Sequence, residues 1–236
     1  MNLTILKKIE FYENVADRAW KGLDFAEQSG NFHLFALNSR QIFKATLMQA
    51  LILMRANMDA HANLEKCFID INNNSKKLQE IDGGENILES LPIERAGLVA
   101  FLLDFDFVVD DFSTVDMPFC KMMDFYLLRM INSNCVDEFR RDFILANDYF
   151  EGHSNNSLQV LTYNNYFNIL KISNSDSDRM RFIEEGFKLF SLRKNDSFYS
   201  AGDQTEGGGG DNKIIVDYRL EAILKKIKFE GRRNYQ

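Results

Sequence analysis

The stretch ILKKIEFYENVADRAWKGLDFA, residues 5–26, decides the fold class. Its apolar residues recur at alternating intervals of four and three, which places all of them on one face of an α-helix. These residues are Ile5, Ile9, Tyr12, Ala16, Ala19, Leu23 and Ala26. Ser29 and Gly30 follow, and glycine commonly ends a helix. The spacing therefore predicts one long amphipathic helix that ends at this glycine.

The same three-or-four spacing continues in the next part of the chain. Residues 31–82 contain neither glycine nor proline, and an apolar series runs from Phe43 to Met58. This composition predicts two helices. The polar run Asn72–Asn74 predicts a frayed helix end there.

The middle of the chain is divided by glycine and proline. Gly83 and Gly84 separate the first helical block from a predicted helix that has Pro92 in its first turn and continues from Glu94 to Leu103. Asp116 and Pro118 predict the start of another helix, and residues 136–149 predict its antiparallel neighbour. A further helix is predicted over 158–172, although its β-branched residues also allow a short strand there.

The carboxy-terminal third begins with a capping box. Ser175 and Asp178 have the spacing that caps a helix start, and Met180, Ile183, Phe187 and Phe190 supply an apolar face after them. A polar loop over 195–212 contains the run Gly207–Gly210. A last amphipathic helix is predicted from residue 216 to the stop at Gly231.

These elements predict an all-α protein, either a multi-helix bundle or stacked antiparallel helical hairpins, with the Gly-rich loop before the last helix. We expect a single domain over residues 1–236, with possible sub-blocks 1–82 and 85–231. The composition, 45% apolar and 13% aromatic, provides enough material for a sizeable core.

Charge and hydropathy exclude several classes of protein. The net charge of −7 would repel a nucleic-acid backbone and attract a basic protein. No apolar run approaches the roughly 20 residues that a membrane-spanning helix needs. The first ten residues lack the pattern of a secretory signal, and the three cysteines are odd in number and far apart. We therefore expect a cytoplasmic protein with reduced thiols, no membrane contact and no nucleic-acid partner.

Motifs for catalysis or for metal and cofactor binding are absent from the sequence. His33, His61 and His153 are isolated, and the chain has neither a Cys-x-x-Cys pair nor a Gly-x-Ser-x-Gly motif. The glycine run is followed by Asp211 rather than by the Lys and Ser or Thr of a phosphate-binding loop. We predict no metal, no cofactor and no enzymatic activity. A catalytic site assembled in space remains an alternative.

An acidic segment over residues 104–116 is the local feature that we single out. It carries five aspartates interleaved with aromatic residues and contains no Lys or Arg. Three interpretations stay open: a divalent-cation site, a surface that binds a basic partner, or a solvated loop with a helix cap. We choose as candidate partner-binding residues the following six: Asp104, Phe105, Asp106, Phe107, Asp110 and Asp111.

The last segment, residues 213–236, has the opposite charge, with seven basic against three acidic residues. Such a polarised chain could steer association with a basic protein. The simpler interpretation is that Lys and Arg favour the last turns of a terminal helix.

The order of parts in the carboxy-terminal third carries a resemblance to a known family. A helix over 181–192 ends in Arg193-Lys-Asn-Asp196, and a polar spacer leads to the amphipathic segment from Val216 to Ile227. In this order the chain resembles the immunity 49 family of bacterial polymorphic-toxin immunity proteins. The resemblance implies a non-catalytic protein that binds and neutralises a cognate toxin. The alternative function is a helical scaffold or regulatory adaptor that binds a peptide or protein partner.

Overall fold

A computed structural model of the chain describes residues 3–79, 93–105, 119–133, 135–152, 158–171, 175–193 and 217–233. Within these ranges every regular element is an α-helix and no strand is present. The prediction of an all-α protein is therefore confirmed. The Gly-rich loop over 195–212 lies outside the described residues.

The described residues contain nine helices, which we number in chain order. Their bounds are α1 Leu3–Ser29, α2 Phe32–Arg55, α3 His61–Gln79, α4 Ile93–Leu102, α5 Phe119–Asn132, α6 Val136–Gly152, α7 Leu158–Leu170, α8 Asp176–Arg193 and α9 Tyr218–Arg233.

The described residues divide into two compact units, one up to Ala96 and one from Gly97 onward. The division lies inside α4. The prediction of a single domain with two sub-blocks stays a prediction.

In the first unit, a tight turn joins α1 to α2 and follows from two residues. Gly30 adopts a left-handed conformation with φ 64°, and the N–H of Asn31 donates to the Ala26 carbonyl at 2.9 Å. This bond closes the end of α1 in the way that a left-handed glycine allows. The Asn31 side chain then accepts a hydrogen bond from the Leu34 N–H at 3.1 Å and caps α2. The predicted end of the first helix is confirmed.

The helix α3 packs against α2 in the same unit and is longer than the sequence indicated. Leu64 and Cys67 on α3 are fully buried, and α3 continues through Asn72–Asn74 to Gln79. The prediction of a frayed end at these asparagines is wrong. Asn74 lies two turns after Cys67, on the same face of the helix, and its side chain is buried. Tertiary packing here overrides the low helix propensity of asparagine.

In the second unit, α5 and α6 form a helical hairpin. A two-pronged ion pair links Arg129 to the buried Asp142, with Nη2 at 3.1 Å from Oδ1 and Nε at 3.2 Å from Oδ2. The rings of Phe119 and Tyr149 stack at 6.2 Å between centroids. Phe119 at the start of α5 thus meets Tyr149 near the end of α6, and Arg129 near the end of α5 meets Asp142 in the first half of α6. The helices are therefore antiparallel, as predicted.

The helix α7 contacts α5, α8 and α9 and supplies much of the core of the second unit. Tyr163, Tyr166 and Ile169 on α7 are completely buried. The segment is helical from Leu158 to Leu170, and the short strand that its β-branched residues allowed is absent from the described residues. Burial on several sides stabilises this helix more than its local propensity indicates.

The start of α8 was predicted correctly, but its buried face was not. The Ser175 hydroxyl accepts from the Asp178 N–H at 3.1 Å, and it donates back to the Asp178 carboxylate at 2.7 Å. Met180 and Phe187, however, are 54% and 51% exposed. The buried residue at the centre of α8 is Gly186, where a Cβ atom would lie 3.0 Å from the Asn165 side chain on α7. The absence of a side chain therefore lets α8 approach α7 closely.

Candidate functional site

Of the six candidate partner-binding residues, Asp104 and Phe105 are described. Asp106, Phe107, Asp110 and Asp111 lie outside the described residues, as does Asp116, so the three interpretations of the acidic segment remain untested there. Asp104 lies two residues after the last residue of α4 and has φ 55°, a left-handed conformation that aspartate tolerates better than most residues. The Phe105 N–H donates to the Ala100 carbonyl at 2.9 Å and closes the end of α4. Asp104 therefore occupies the position that glycine often takes after a helix.

The Asp104 carboxylate is 76% exposed but has a cationic partner. Lys225 of α9 places its Nζ 2.8 Å from Asp104 Oδ1. The same ammonium group donates to the Phe101 and Leu102 carbonyls at 2.8 Å and 2.7 Å. A cation at these carbonyls satisfies acceptors that the end of a helix leaves open and offsets the partial negative charge of the helix end. The acidic segment itself contains no Lys or Arg, but Asp104 has a compensating cation that comes from 121 residues further along the chain.

The basic residues of the last segment turn largely inward where they are described. Arg219 is 1% exposed and Lys226 is 8% exposed. The Lys226 ammonium donates to the Ser133 carbonyl at the end of α5 at 2.6 Å. Together with Lys225, three of the seven cations of this segment make internal contacts. They act within the second unit rather than as a basic outer surface.

Arg219 forms the most deeply buried ion pair of the described structure. Its Nη2 lies 2.7 Å from Asp124 Oδ2, and its Nε donates to Asp124 Oδ1. Both side chains are 1% exposed, so neither charge is hydrated by bulk solvent. This planar two-bond contact satisfies both carboxylate oxygens and is the strongest form of ion pair available to arginine.

Tyrosine side chains complete the cluster around Asp124. The Tyr163 hydroxyl lies 2.7 Å from Asp124 Oδ1 and 2.8 Å from the Cys120 carbonyl, so its single proton is shared between these acceptors. The Arg219 guanidinium lies over the Tyr218 ring, 4.7 Å from the centroid. Burial raises the pKa of Tyr163 well above its ordinary value, with the Arg219 charge opposing this shift. Tyr163 therefore stays protonated and acts as a hydrogen-bond donor.

A second carboxylate of this cluster is Asp217, which directly precedes α9. Its Oδ1 accepts from the Tyr166 hydroxyl at 2.7 Å and from the Leu220 N–H at 3.1 Å, which caps the helix. The Oδ2 atom is buried and accepts no hydrogen bond within the described structure. Burial raises the pKa of Asp217, while the hydrogen bonds from Leu220 and Tyr166 oppose the shift. Asp124 and Asp217 are therefore two buried carboxylates near one guanidinium. Asp124 forms the direct ion pair with Arg219, and Asp217 does not.

The cluster of Asp124, Tyr163, Tyr166, Asp217 and Arg219 joins α5, α7 and α9 through side chains that are at least 94% buried. Burial raises the cost of separating these charges and removes them from contact with a substrate in solvent. Its arrangement fits a structural role, which is to fix the last helix in the second unit.

Sequence spacing contained a signal for this cluster that was missed. The predicted apolar face of the last helix comprised Val216, Leu220, Ile223 and Ile227, and Arg219 and Lys226 each stand next to one of these positions. Arg219 and Lys226 are two turns apart on a single face. Long charged side chains that border an apolar stripe can lay their stems along it and place their charged ends on polar partners.

The described residues contain no group of three or more His, Cys, Asp or Glu side chains placed to hold a metal ion. None of the helices within the described ranges is both long enough and apolar enough to cross a membrane.

Comparison of the chain with protein-family models, with curated proteins and with solved structures finds no match. The functional interpretation therefore depends on the residues of this chain.

Proposed function

We propose that this chain is a bacterial immunity protein that binds a cognate basic toxin in the cytoplasm and neutralises it without catalysing a reaction. The order of parts in the carboxy-terminal third, which resembles the immunity 49 family, motivates this proposal. The net charge of −7 supports it, because long-range attraction speeds association between an acidic inhibitor and a basic target.

The observation that carries the proposal is the geometry at Asp104. The acidic segment starts two residues after the end of α4, at a left-handed residue whose carboxylate is 76% exposed. Lys225 attaches this turn to α9 through the Phe101 and Leu102 carbonyls. The start of the segment is thus anchored on two helices while its first carboxylate faces solvent. A charged surface that starts from a fixed point loses less conformational entropy when it binds.

The mechanism that we propose is association without chemistry. The aspartates of the segment attract the toxin and orient it, and Phe105 and Phe107 serve as apolar anchors. Electrostatic attraction acts mainly on the association rate, whereas buried anchors act mainly on the dissociation rate. These two contributions can therefore be measured separately.

The test uses the product of the neighbouring gene as the candidate toxin. Co-expression should restore growth and yield a stable complex. In the variant D104N/D106N/D110N/D111N, the association rate constant should fall by roughly tenfold at low salt and depend less on ionic strength. Asparagine also tolerates the left-handed conformation at position 104, so the turn after α4 should be retained.

The control removes the same number of charges elsewhere. Glu10, Glu13, Asp17 and Asp24 are exposed on α1, and E10Q/E13Q/D17N/D24N changes the net charge by the same amount. This control should slow association much less than the first variant. Equal slowing by both variants would show that only net charge matters and would reject the acidic segment as the binding surface.

A second candidate function, a helical adaptor that binds a peptide, is favoured by the exposed apolar side chains of α8. Genomic position separates the two candidates, because an immunity gene should lie beside a toxin gene. Failure of the neighbouring gene product to inhibit growth would favour the adaptor.

A further inference from the structure

The helix α8 carries several large apolar side chains that are partly or mostly exposed. Its large apolar side chains that the structure describes are all at least partly exposed. They are Met180, Phe182, Ile183, Phe187, Leu189 and Phe190. A helix that packs on one side of a globular unit normally buries such residues. Gly186 is the buried residue at the centre of the helix and lies against Asn165 and Leu220.

The two most exposed of these residues lie on one stripe of the helix. Met180 and Phe187 are separated by seven residues, or about two turns, so they project from the same face. Their exposed fractions are 54% and 51%. Glu184 is also exposed and stands between them, four residues after Met180 and three before Phe187. We call Met180, Glu184 and Phe187 the α8 stripe.

Charge distinguishes Glu184 from its neighbours on the helix. Arg181 Nη2 lies 3.7 Å from Asp178 Oδ1, and Lys188 Nζ lies 3.8 Å from Glu185 Oε2. Glu184 forms no ion pair with any residue in the described ranges. A partner with a basic side chain between two apolar ones would match the α8 stripe in both charge and apolarity.

We infer that the α8 stripe is a docking surface for a basic amphipathic helix of a partner protein. In this complex Met180 and Phe187 contact apolar residues of the incoming helix, and Glu184 pairs with a Lys or Arg on it. Helix pairing of this kind uses residues three, four and seven apart, which is the spacing that the stripe presents. The inference rests on the proposed function only in that the chain acts by binding a protein.

The test uses a fluorescein-labelled 18-residue peptide of leucine and lysine, with the leucines at three-or-four spacing. Fluorescence anisotropy with the full chain should detect binding. Affinity should fall at least tenfold for M180S/F187S and for E184K. The matched control I144S/L145S replaces two exposed apolar residues of α6, at 58% and 43% exposure, and should change affinity less than twofold. Circular dichroism verifies that each variant is folded.

Three results would overturn the inference. One is equal affinity of the wild-type chain and the α8 variants for the peptide. Another is equal binding of a scrambled peptide that has the same composition but no apolar face. The third is a concentration-dependent dimer that M180S/F187S abolishes, because the occupant of the stripe would then be a second copy of the chain.

The peptide assay does not need the toxin, so its outcome is independent of the proposed function. If M180S/F187S neutralises the toxin as well as the wild type does and binds the peptide equally, the stripe is rejected while the proposed function stands. If the peptide binds as expected and the neighbouring gene product has no effect on growth, the α8 stripe is supported as a docking surface and the proposed immunity function is rejected.

Discussion

Arg219 has the largest consequence at the scale of single residues. Its guanidinium and the Asp124 carboxylate are both 1% exposed and bond to each other twice. Removing one partner of such a pair leaves an isolated charge in the core, which is far more costly than losing the attraction itself. The pair is therefore sensitive to change on either side.

We expect R219M to lower the free energy of unfolding of the second unit by roughly 3–5 kcal/mol, because Asp124 stays buried without a countercharge. Urea denaturation followed by circular dichroism measures this loss. The control is D124L/R219M, which removes both charges and should recover part of the lost stability. A double variant less stable than R219M would contradict this account of the pair.

Asp217 gives a prediction about pH. Burial raises its pKa above the ordinary value of 3.8, so the folded chain binds a proton more tightly at this site than the unfolded chain does. The stability that this group contributes is fully present below pH 3.8 and is lost as pH rises through the raised pKa. D217N keeps an oxygen acceptor for Tyr166 and for the Leu220 N–H, and it carries no titrating group.

The stability of D217N relative to the wild type should therefore increase as pH rises from about 4 to 7. Urea denaturation at several pH values measures this difference. The control is D178N, which removes one carboxylate from the same unit at a partly exposed position at the start of α8. A difference between D217N and the wild type that stays constant with pH would refute the assignment of this titration to Asp217.

At the scale of helices, apolar spacing predicted where the elements lie better than which face they bury. The face of α1 was correct, because Tyr12, Ala16, Ala19, Leu23 and Ala26 are all buried. The face of α8 was not, since Met180 and Phe187 are exposed and Gly186 is buried. Three-or-four spacing identifies residues that share a face, but packing against other helices decides how far that face is covered.

Gly186 leads to a prediction for the contact between α7 and α8. A Cβ atom at this position would lie 3.0 Å from Asn165 Nδ2 and 3.3 Å from Leu220 Cδ2. The Asn165 amide already donates to the Phe182 carbonyl at 2.9 Å, so it has little room to move. Although alanine is intrinsically favoured over glycine in a helix by about 1 kcal/mol, crowding of a packed site costs about 1–3 kcal/mol.

We therefore expect G186A to lower the free energy of unfolding by roughly 1 kcal/mol, measured by urea denaturation. The control is G152A at the end of α6, where the added carbon would meet no heavy atom within 4 Å among the described residues, apart from its chain neighbours and its own helix backbone. This control should leave stability unchanged or raise it slightly. If G186A instead raised the free energy of unfolding, α8 would have to move away from α7 at no energetic cost, and the prediction would be wrong.

Contacts between distant parts of the chain were the features that local sequence could not predict. Arg219 meets Asp124 across 95 residues, and Lys225 meets the Phe101 carbonyl across 124 residues. A pattern read along one helix shows that a charge lies on an apolar face, but it does not identify the partner. For the same reason the local sequence around Asp104 did not indicate its pairing with Lys225, while the roles of the remaining aspartates of the segment stay predictions.

At the scale of the whole molecule, the two units provide separate probes. Cys67 lies in the first unit and is fully buried, and burial raises the pKa of its thiol. A thiol reagent can modify Cys67 only after the first unit opens, and the reaction rate then reports the free energy of that opening. The Arg219 cluster belongs to the second unit.

We expect R219M to change the rate of Cys67 modification less than threefold in the absence of urea, because the lost ion pair stabilises the second unit. L64A removes a fully buried side chain next to Cys67 on α3 and should destabilise the first unit by about 2–5 kcal/mol, which corresponds to an increase in rate of about 30-fold or more. The measurement follows modification by mass spectrometry, in the background C120S/C135S so that Cys67 is the only thiol. A large increase in R219M would instead mean that the two units open together, and the loss of the buried ion pair would then be felt throughout the chain.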